Sequence, residues 1–327
     1  MKLAIALAAL IPTFGFGLTA PSQAQSQTAA TFPDHPVRII VPFPAGGPTD
    51  VLARFMGKNL SDQWGKGVVI ENRPGANSAI GAAAVAGAPA DGYTLLMAMD
   101  TTLVMNPITT SVLPYKPDDF ETISLAAVNT SILVVPANGP KTVEELIAKG
   151  RANPGKLNYG GGIIPTRLAA VMFNKQAGID AVFVPFKGSA DIVQALLDGS
   201  IDYAIDGIAP HLPLIKDGKL RALAKLNNKP LASLPDLKPL YKMPGMKDIG
   251  EMSTWVGVVA PVGTPAPIVD KIHAAVVKAT QDQEMQKKLL PLGIVAVNST
   301  PKEFDDFVKS ERAKWEPVLR DSGIPLN

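Results

Sequence analysis

The amino-acid sequence predicts an α/β protein of two lobes, with mostly parallel sheets and a crevice between the lobes. Three observations predict it. Short, continuous apolar runs rich in β-branched residues recur along the chain, and segments with helical periodicity separate them. The alternation then starts afresh beyond residue 150, which gives one chain two sets of strand–helix units. Strands covered by helices on both faces read as continuous rather than alternating apolar runs, and their ligand crevice lies outside the strands' carboxyl ends.

Residues 38–41, 68–71, 94–97 and 133–135 read as buried strands. Between the first two, Val51, Leu52, Phe55, Met56 and Leu60 recur at helical spacing. In the second half, 157–159, 181–184, 201–205 and 220–224 are strand candidates, with helices around 166–176 and 190–197. A last strand, 256–260, precedes two long helices. The first follows Thr264-Pro265 and carries Ile268, Ile272, Ala275 and Val276 on one face. The second opens on Thr300-Pro301-Lys302-Glu303, a capping-box pattern with Pro at the first helical position. The expected division is residues 32–130 and 254–327 for the first lobe and 131–253 for the second, with crossings near 127–133 and 251–256.

Residues 1–24 read as a cleaved signal peptide. Lys2 is followed by an apolar run over 3–18 and by small residues, with Ser22 and Ala24 at the −3 and −1 positions of the cleavage site. Pro12 and two glycines interrupt the run, which falls short of the roughly 20 apolar residues of a membrane span. The chain has no cysteine, so burial alone must hold the core, and no mature first Cys exists for a lipid. The expectation is a periplasmic monomer that is not a lipoprotein. A formal net charge of +2, with acidic and basic residues interspersed, argues against nucleic acid or an anionic membrane as partner.

Signals for catalysis are sparse. His35, His211 and His273 have no partner at triad or metal-ligand spacing, and no Gly-Lys pair precedes Ser or Thr as a P-loop requires. Asp118-Asp119 and Asp305-Asp306 read as solvated surface. No enzyme activity, metal or cofactor is expected. Gly75, Gly81 and Gly87 do not fit a dinucleotide fingerprint and read as helix-packing positions.

The sharpest feature is Pro42-Phe43-Pro44-Ala45-Gly46-Gly47-Pro48-Thr49-Asp50, which joins a buried strand to an amphipathic helix. Bare amides at a helix amino terminus can hold an anion such as a carboxylate, and Thr49 or Asp50 is placed to cap the helix. An ordinary tight strand-to-helix turn explains the segment equally well. Residues 158–167, Asn-Tyr-Gly-Gly-Gly-Ile-Ile-Pro-Thr-Arg, repeat the arrangement in the second half, and two such loops can face one another across a cleft.

Several further motifs match in order. They are Glu71-Asn72-Arg73-Pro74-Gly75-Ala76, Ala90-Asp91-Gly92-Tyr93-Thr94-Leu95, Pro185-Phe186-Lys187-Gly188, Leu220-Arg221-Ala222-Leu223-Ala224, and Trp255-Val256-Gly257 through Ala260-Pro261-Val262-Gly263-Thr264-Pro265. With the 42–50 loop they resemble the Bug (TctC-like) family, the periplasmic solute receptors of tripartite tricarboxylate transporters. The resemblance implies a Venus-flytrap binding protein that delivers a small organic carboxylate to a membrane transporter by transient contact. A ligand-sensing partner of a signalling receptor, or an exported α/β enzyme, are the alternatives.

The resemblance also implies a site. In the first lobe it comprises Pro44, Ala45, Gly46, Gly47 and Thr49, with Asp100, Thr101 and Thr102 on a second loop. In the second lobe it comprises Gly161, Gly162, Ile163 and Arg167, then Lys187, Gly188 and Asp206. Three departures bear on specificity: the 158–167 loop is shorter and holds Ile163 and Ile164, Asp100 replaces a small residue, and Gly207 replaces a frequent Asn. Arg167 is expected to read a second acidic or polar group, and Asp100 or Asp206 to accept from an amine, hydroxyl or ring nitrogen. Ile163 and Ile164 would form an apolar wall suited to a flat or aromatic acid. Arg167 and Asp100 turned to solvent, or paired with each other, is the plainer expectation.

Overall fold

A computed structural model describes residues 31–324, so the signal-peptide expectation for 1–24 lies outside the described residues. The strands are β1 (Val37–Val41), β2 (Val68–Asn72), β3 (Thr94–Met99), β4 (Phe120–Asn129), β5 (Ser131–Pro136), β6 (Leu157–Gly161), β7 (Ala181–Pro185), β8 (Tyr203–Gly207), β9 (Leu220–Lys225), β10 (Thr254–Pro261) and β11 (Ile294–Ala296). The helices are α1 (Pro48–Trp64), α2 (Ala79–Ala86), α3 (Asn106–Thr109), α4 (Val143–Ala152), α5 (Ile164–Ala177), α6 (Ser189–Asp198), α7 (Ile208–Lys216), α8 (Ala266–Thr280), α9 (Gln283–Leu289) and α10 (Pro301–Asp321).

Two sheets form two lobes. The first has strand order β11-β4-β10-β3-β1-β2 and the second β7-β6-β8-β5-β9. The expectation of mostly parallel sheets needs correction. Only β2-β1-β3 and β7-β6-β8 are parallel; β10 runs antiparallel to β3 and β4, β11 to β4, and β5 to β8 and β9. The reason is the route between lobes. Thr130 alone separates β4 in the first sheet from β5 in the second, and β10 returns the chain into the middle of the first sheet. These crossing strands need no helical crossover, so nothing forces them parallel.

Hydrogen bonds gather at the crossing. Thr130 donates its amide to the Gly293 carbonyl at 2.8 Å. The Asn227 side-chain amide donates to the Asn129 carbonyl at 3.4 Å and to Ser253 Oγ at 3.0 Å, and so ties the outgoing strand to the returning one. A single apolar cluster runs from Leu96 and Ala98 of the first lobe through Trp255 and Phe304 to Tyr159, Phe173 and Tyr203 of the second. Gly257 is required there: a Cβ would lie 2.1 Å from the Phe304 ring, so only a bare backbone lets this side chain of α10 lie against β10. The predicted capping box of α10 is present, with Glu303 N–H donating to Thr300 Oγ1 at 3.2 Å and Thr300 N–H to Glu303 Oε2 at 2.8 Å.

Candidate functional site

Four strand-to-helix turns converge at the carboxyl ends of parallel strands: β1 to α1, β6 to α5, β7 to α6 and β8 to α7. Between them lies a cleft of about 170 Å³, more than ten times the roughly 10–15 Å³ that one water needs. The first lobe contributes Phe43 to Thr49 and Met99. The second contributes Gly162, Ile163, Thr166, Lys187 to Asp191, Asp206, Gly207 and Pro210, and the crossings add Asn129, Ser131 and Thr254.

The 42–50 turn is shaped by Asp50. Burial pushes its carboxyl up, but hydrogen bonds from Arg54, the Gly46 amide and Asn72 outweigh that and leave it below the usual carboxylate range. Asp50 Oδ2 accepts from Gly46 N–H at 2.9 Å and from Arg54 Nε at 2.9 Å, while Asn72 Nδ2 reaches both Asp50 Oδ1 at 2.9 Å and the Phe43 carbonyl at 3.1 Å. Thus Asn72 of the Glu-Asn-Arg-Pro-Gly motif serves to hold the loop. Two expectations are corrected here. The N-cap of α1 is Gly47, with no side-chain cap, and Asp50 reaches back one turn instead. Thr49 Oγ1 points to Met99 Sδ at 3.0 Å. The Gly46 amide is therefore occupied, while the amides of Ala45, Gly47 and Thr49 make no hydrogen bond among the described residues. Those amides, at the positive end of a 17-residue helix, suit an anion.

The second-lobe turns meet the first lobe at two bare backbones. A Cβ on Gly188 would lie 3.1 Å from Pro44 Cγ, and one on Gly207 2.8 Å from Pro48 Cγ. Ile163 packs among the first-lobe apolar residues. The cleft is thus closed at its lip.

Of the residues implied by resemblance, Pro44, Ala45, Gly46, Gly47, Thr49, Gly162, Ile163, Lys187, Gly188 and Asp206 line this cleft. Asp100, Thr101, Thr102, Gly161 and Arg167 do not. Asp100 begins a π-helical turn over Thr101–Met105 and lines a smaller pocket behind the cleft, which shares Ser131, Thr166 and Thr254 with it. Burial pushes its carboxyl up to about 8, against hydrogen bonds from the Thr101 amide and side chain and the Trp255 amide, with Glu311 adding to the rise. Thr101 and Thr102 are wholly buried, and Thr102 Oγ1 donates to Ser78 Oγ at 3.0 Å. Gly161 packs between Phe183 and the Arg167 backbone. Arg167 lays its guanidinium on the Phe183 ring, 4.1 Å from the centroid, where the flat cation meets the negative face of the ring. The residue stays partly exposed and forms no ion pair with Asp100. Ile164 is buried within α5, so the apolar wall comes from Ile163.

Several polar residues escaped the sequence reading as site residues: Asn129, Ser131, Asp191 and Thr254 line the cleft, and His211 stands behind it, bonded to Asp206. Asn129 is 2% exposed, and neither its side-chain oxygen nor its nitrogen has a partner among the described residues. Its signal was an Asn at a predicted lobe crossing. His211, wholly buried on α7, places Nε2 2.9 Å from Asp206 Oδ2. The pair spans a strand-to-helix turn at a spacing of five, which no motif template covers.

A family model described as the tripartite tricarboxylate transporter family receptor matches residues 52–324. Protein BugT of Bordetella pertussis is 31% identical over 97% of this chain and 98% of its own length. Among solved structures, the periplasmic binding protein BugD superposes with a TM-score of 0.84 at 29% identity, over 90% of this chain and 99% of that one. An R. palustris protein solved with adipate gives 0.85 at 31% identity, over 90% and 99%. MatC from Rhodopseudomonas palustris, solved with malate, gives 0.79 at 29%, over 88% and 100%.

Proposed function

The chain belongs to the tripartite tricarboxylate transporter receptor family, and from that premise we propose that it captures a small organic carboxylate in the periplasm and hands it to a membrane transporter. The observation that carries this reading is the closed cleft built on the free amides of Ala45, Gly47 and Thr49. Adipate and malate in two structural relatives support an acid as ligand. Closure around that ligand shifts an open–closed equilibrium, and the closed form is what the transporter meets.

The finer parts of the reading are a signal peptide cleaved after Ala24, no lipid anchor, a monomeric receptor and no chemistry performed on the ligand. The lobe division at 32–130 with 254–327 against 131–253 is part of it, and the sheet membership of the strands supports it. So is a site drawn from Pro44 to Gly47, Thr49, Gly162, Ile163, Lys187, Gly188 and Asp206, which share the cleft. The Asp206–His211 pair resembles part of a catalytic triad, but the His211 ring is fully buried and does not reach the cleft.

Calorimetry tests the proposal. An acid that binds should lose at least about tenfold in affinity, ~1.4 kcal/mol, when converted to its methyl ester or amide. Equal affinities for acid and neutral analogue would show that the amides do not read a carboxylate.

A further inference from the structure

We infer that the ligand carries a hydrogen-bond donor beside its carboxylate, a hydroxyl or a protonated amine, and that Asp206, positioned by His211, reads it. The inference rests on the carboxylate reading and names the class of acid.

Asp206 is 5% exposed and lines the cleft. Among the described residues its carboxylate has one polar partner, His211 Nε2 at 2.9 Å. A carboxylate so withdrawn from water requires further donors, and the face it turns to the cleft must find them in whatever fills the cleft. A second carboxylate there would meet like charge at short range, which is unfavourable. A hydroxyl or an ammonium group would complete its shell.

His211 is a positioning residue. Its ring is wholly enclosed and its Nδ1 is buried with no partner among the described residues, so the ring cannot touch a ligand and gives up one polar contact to stay where it is. What it obtains there is a single bond to Asp206, which fixes the carboxylate at the mouth of α7.

Asn129 lines the same cleft, with both ends of its side-chain amide buried and, among the described residues, unpaired. The donor-reading side also lies close to the acid-reading side. Gly207, next to Asp206, faces Pro48, the first residue of the helix that bears the free amides. A donor on the carbon next to the carboxylate fits that juxtaposition, as in 2-hydroxy and 2-amino acids.

Matched acids differing only in that substituent provide the test: propionate, lactate and alanine; succinate, malate and aspartate; glutarate, 2-hydroxyglutarate and glutamate; phenylacetate, mandelate and phenylglycine. Affinities are measured by calorimetry for the full-length mature protein and for Asp206→Asn, His211→Phe and His211→Gln. In whichever series binds, the hydroxy or amino acid should bind at least about tenfold more tightly than the unsubstituted one. Asp206→Asn should shrink that preference to about threefold or less, and His211→Phe should shrink it while sparing the unsubstituted acid. His211→Gln, which retains a donor, should recover part of it. If His211→Phe does not fold, Asp206→Asn decides alone, because it keeps the shape of the side chain. An unsubstituted acid that binds as tightly as its partners, or a preference that survives both substitutions, overturns the inference and leaves the carboxylate reading standing. Failure of every acid to bind overturns both.

Discussion

Asp100 shows how far a single side chain can sit from the role its position suggests. It follows a predicted strand in a predicted binding loop, yet its carboxyl is sealed behind the cleft and pushed up to about 8 by burial. The linkage has a definite sign. The folded chain holds this proton up to about pH 8, whereas the unfolded chain releases it near the ordinary 3.8. Between those limits the folded state binds more protons, so stability falls as pH rises through that window and levels off above it. The slope should approach ~1.4 kcal/mol per pH unit at its steepest. Asp100→Asn should flatten it, and denaturant titrations of both proteins from about pH 5 to about pH 9 would show the curves converging on the acid side. Parallel curves would mean that Asp100 ionises freely in the fold. The same sealing explains why the residue was misread. Sequence places a side chain on a loop but does not say which way the loop turns, and a π-helical turn carries Asp100 inward. Arg167 was assigned to the cleft wrongly for a related reason, since its partner Phe183 lies on a strand of another unit.

At the level of elements, the parallel units were legible because each pairs a continuous apolar run with an amphipathic helix, as with β1 and α1. The edge strand β2, read as buried, is only half-buried, as is the edge strand β7, with Val69 and Val182 exposed. Strand β4 was not legible, since four of its ten positions are only partly buried and polar Glu121, Thr122 and Ser124 interrupt its pattern. Strand β11, three residues long, is too short to show any period. The contact between the turns opening α1 and α7 was likewise invisible, because it joins two lobes. Gly207 has φ −62 and ψ 138, which any residue adopts, so Gly207→Ala should leave the ligand-free fold within about 0.5 kcal/mol of the parent. In the closed cleft its new Cβ would fall 2.8 Å from Pro48 Cγ, a contact that parting the lobes should relieve. The closed state alone then bears the overpacking, of order 1–3 kcal/mol. Affinity for the tightest-binding acid should drop by about tenfold, equivalent to ~1.4 kcal/mol, and adding Pro48→Ala should restore most of it. Unchanged affinity in Gly207→Ala would show that the lip contact does not belong to the ligand-bound state.

For the whole molecule, the decisive feature is that the chain leaves the first sheet after Asn129 and rejoins it at Thr254, so the second lobe is an insertion in the first. Two lobes were legible from the repeated alternation. The apolar cluster that runs through both was not, because it is assembled from residues far apart in sequence. The insertion has a mechanical consequence. Strand β1 and helix α10, nearest the two ends of the described chain, both belong to the first lobe, so tension applied between them loads that lobe and bypasses the other. The chain has no native cysteine, so Thr31→Cys and Asp321→Cys give unique thiol handles for optical tweezers. Stretching should rupture the first lobe first and leave a second, separate extension of about 430 Å, the contour of residues 131–253 at ~3.5 Å per residue. One undivided rupture would mean that the shared cluster welds both lobes into a single mechanical unit. In the expected case, the lobe that carries Asp206 and His211 is shielded from force for as long as the lobe that carries the amide loop remains intact.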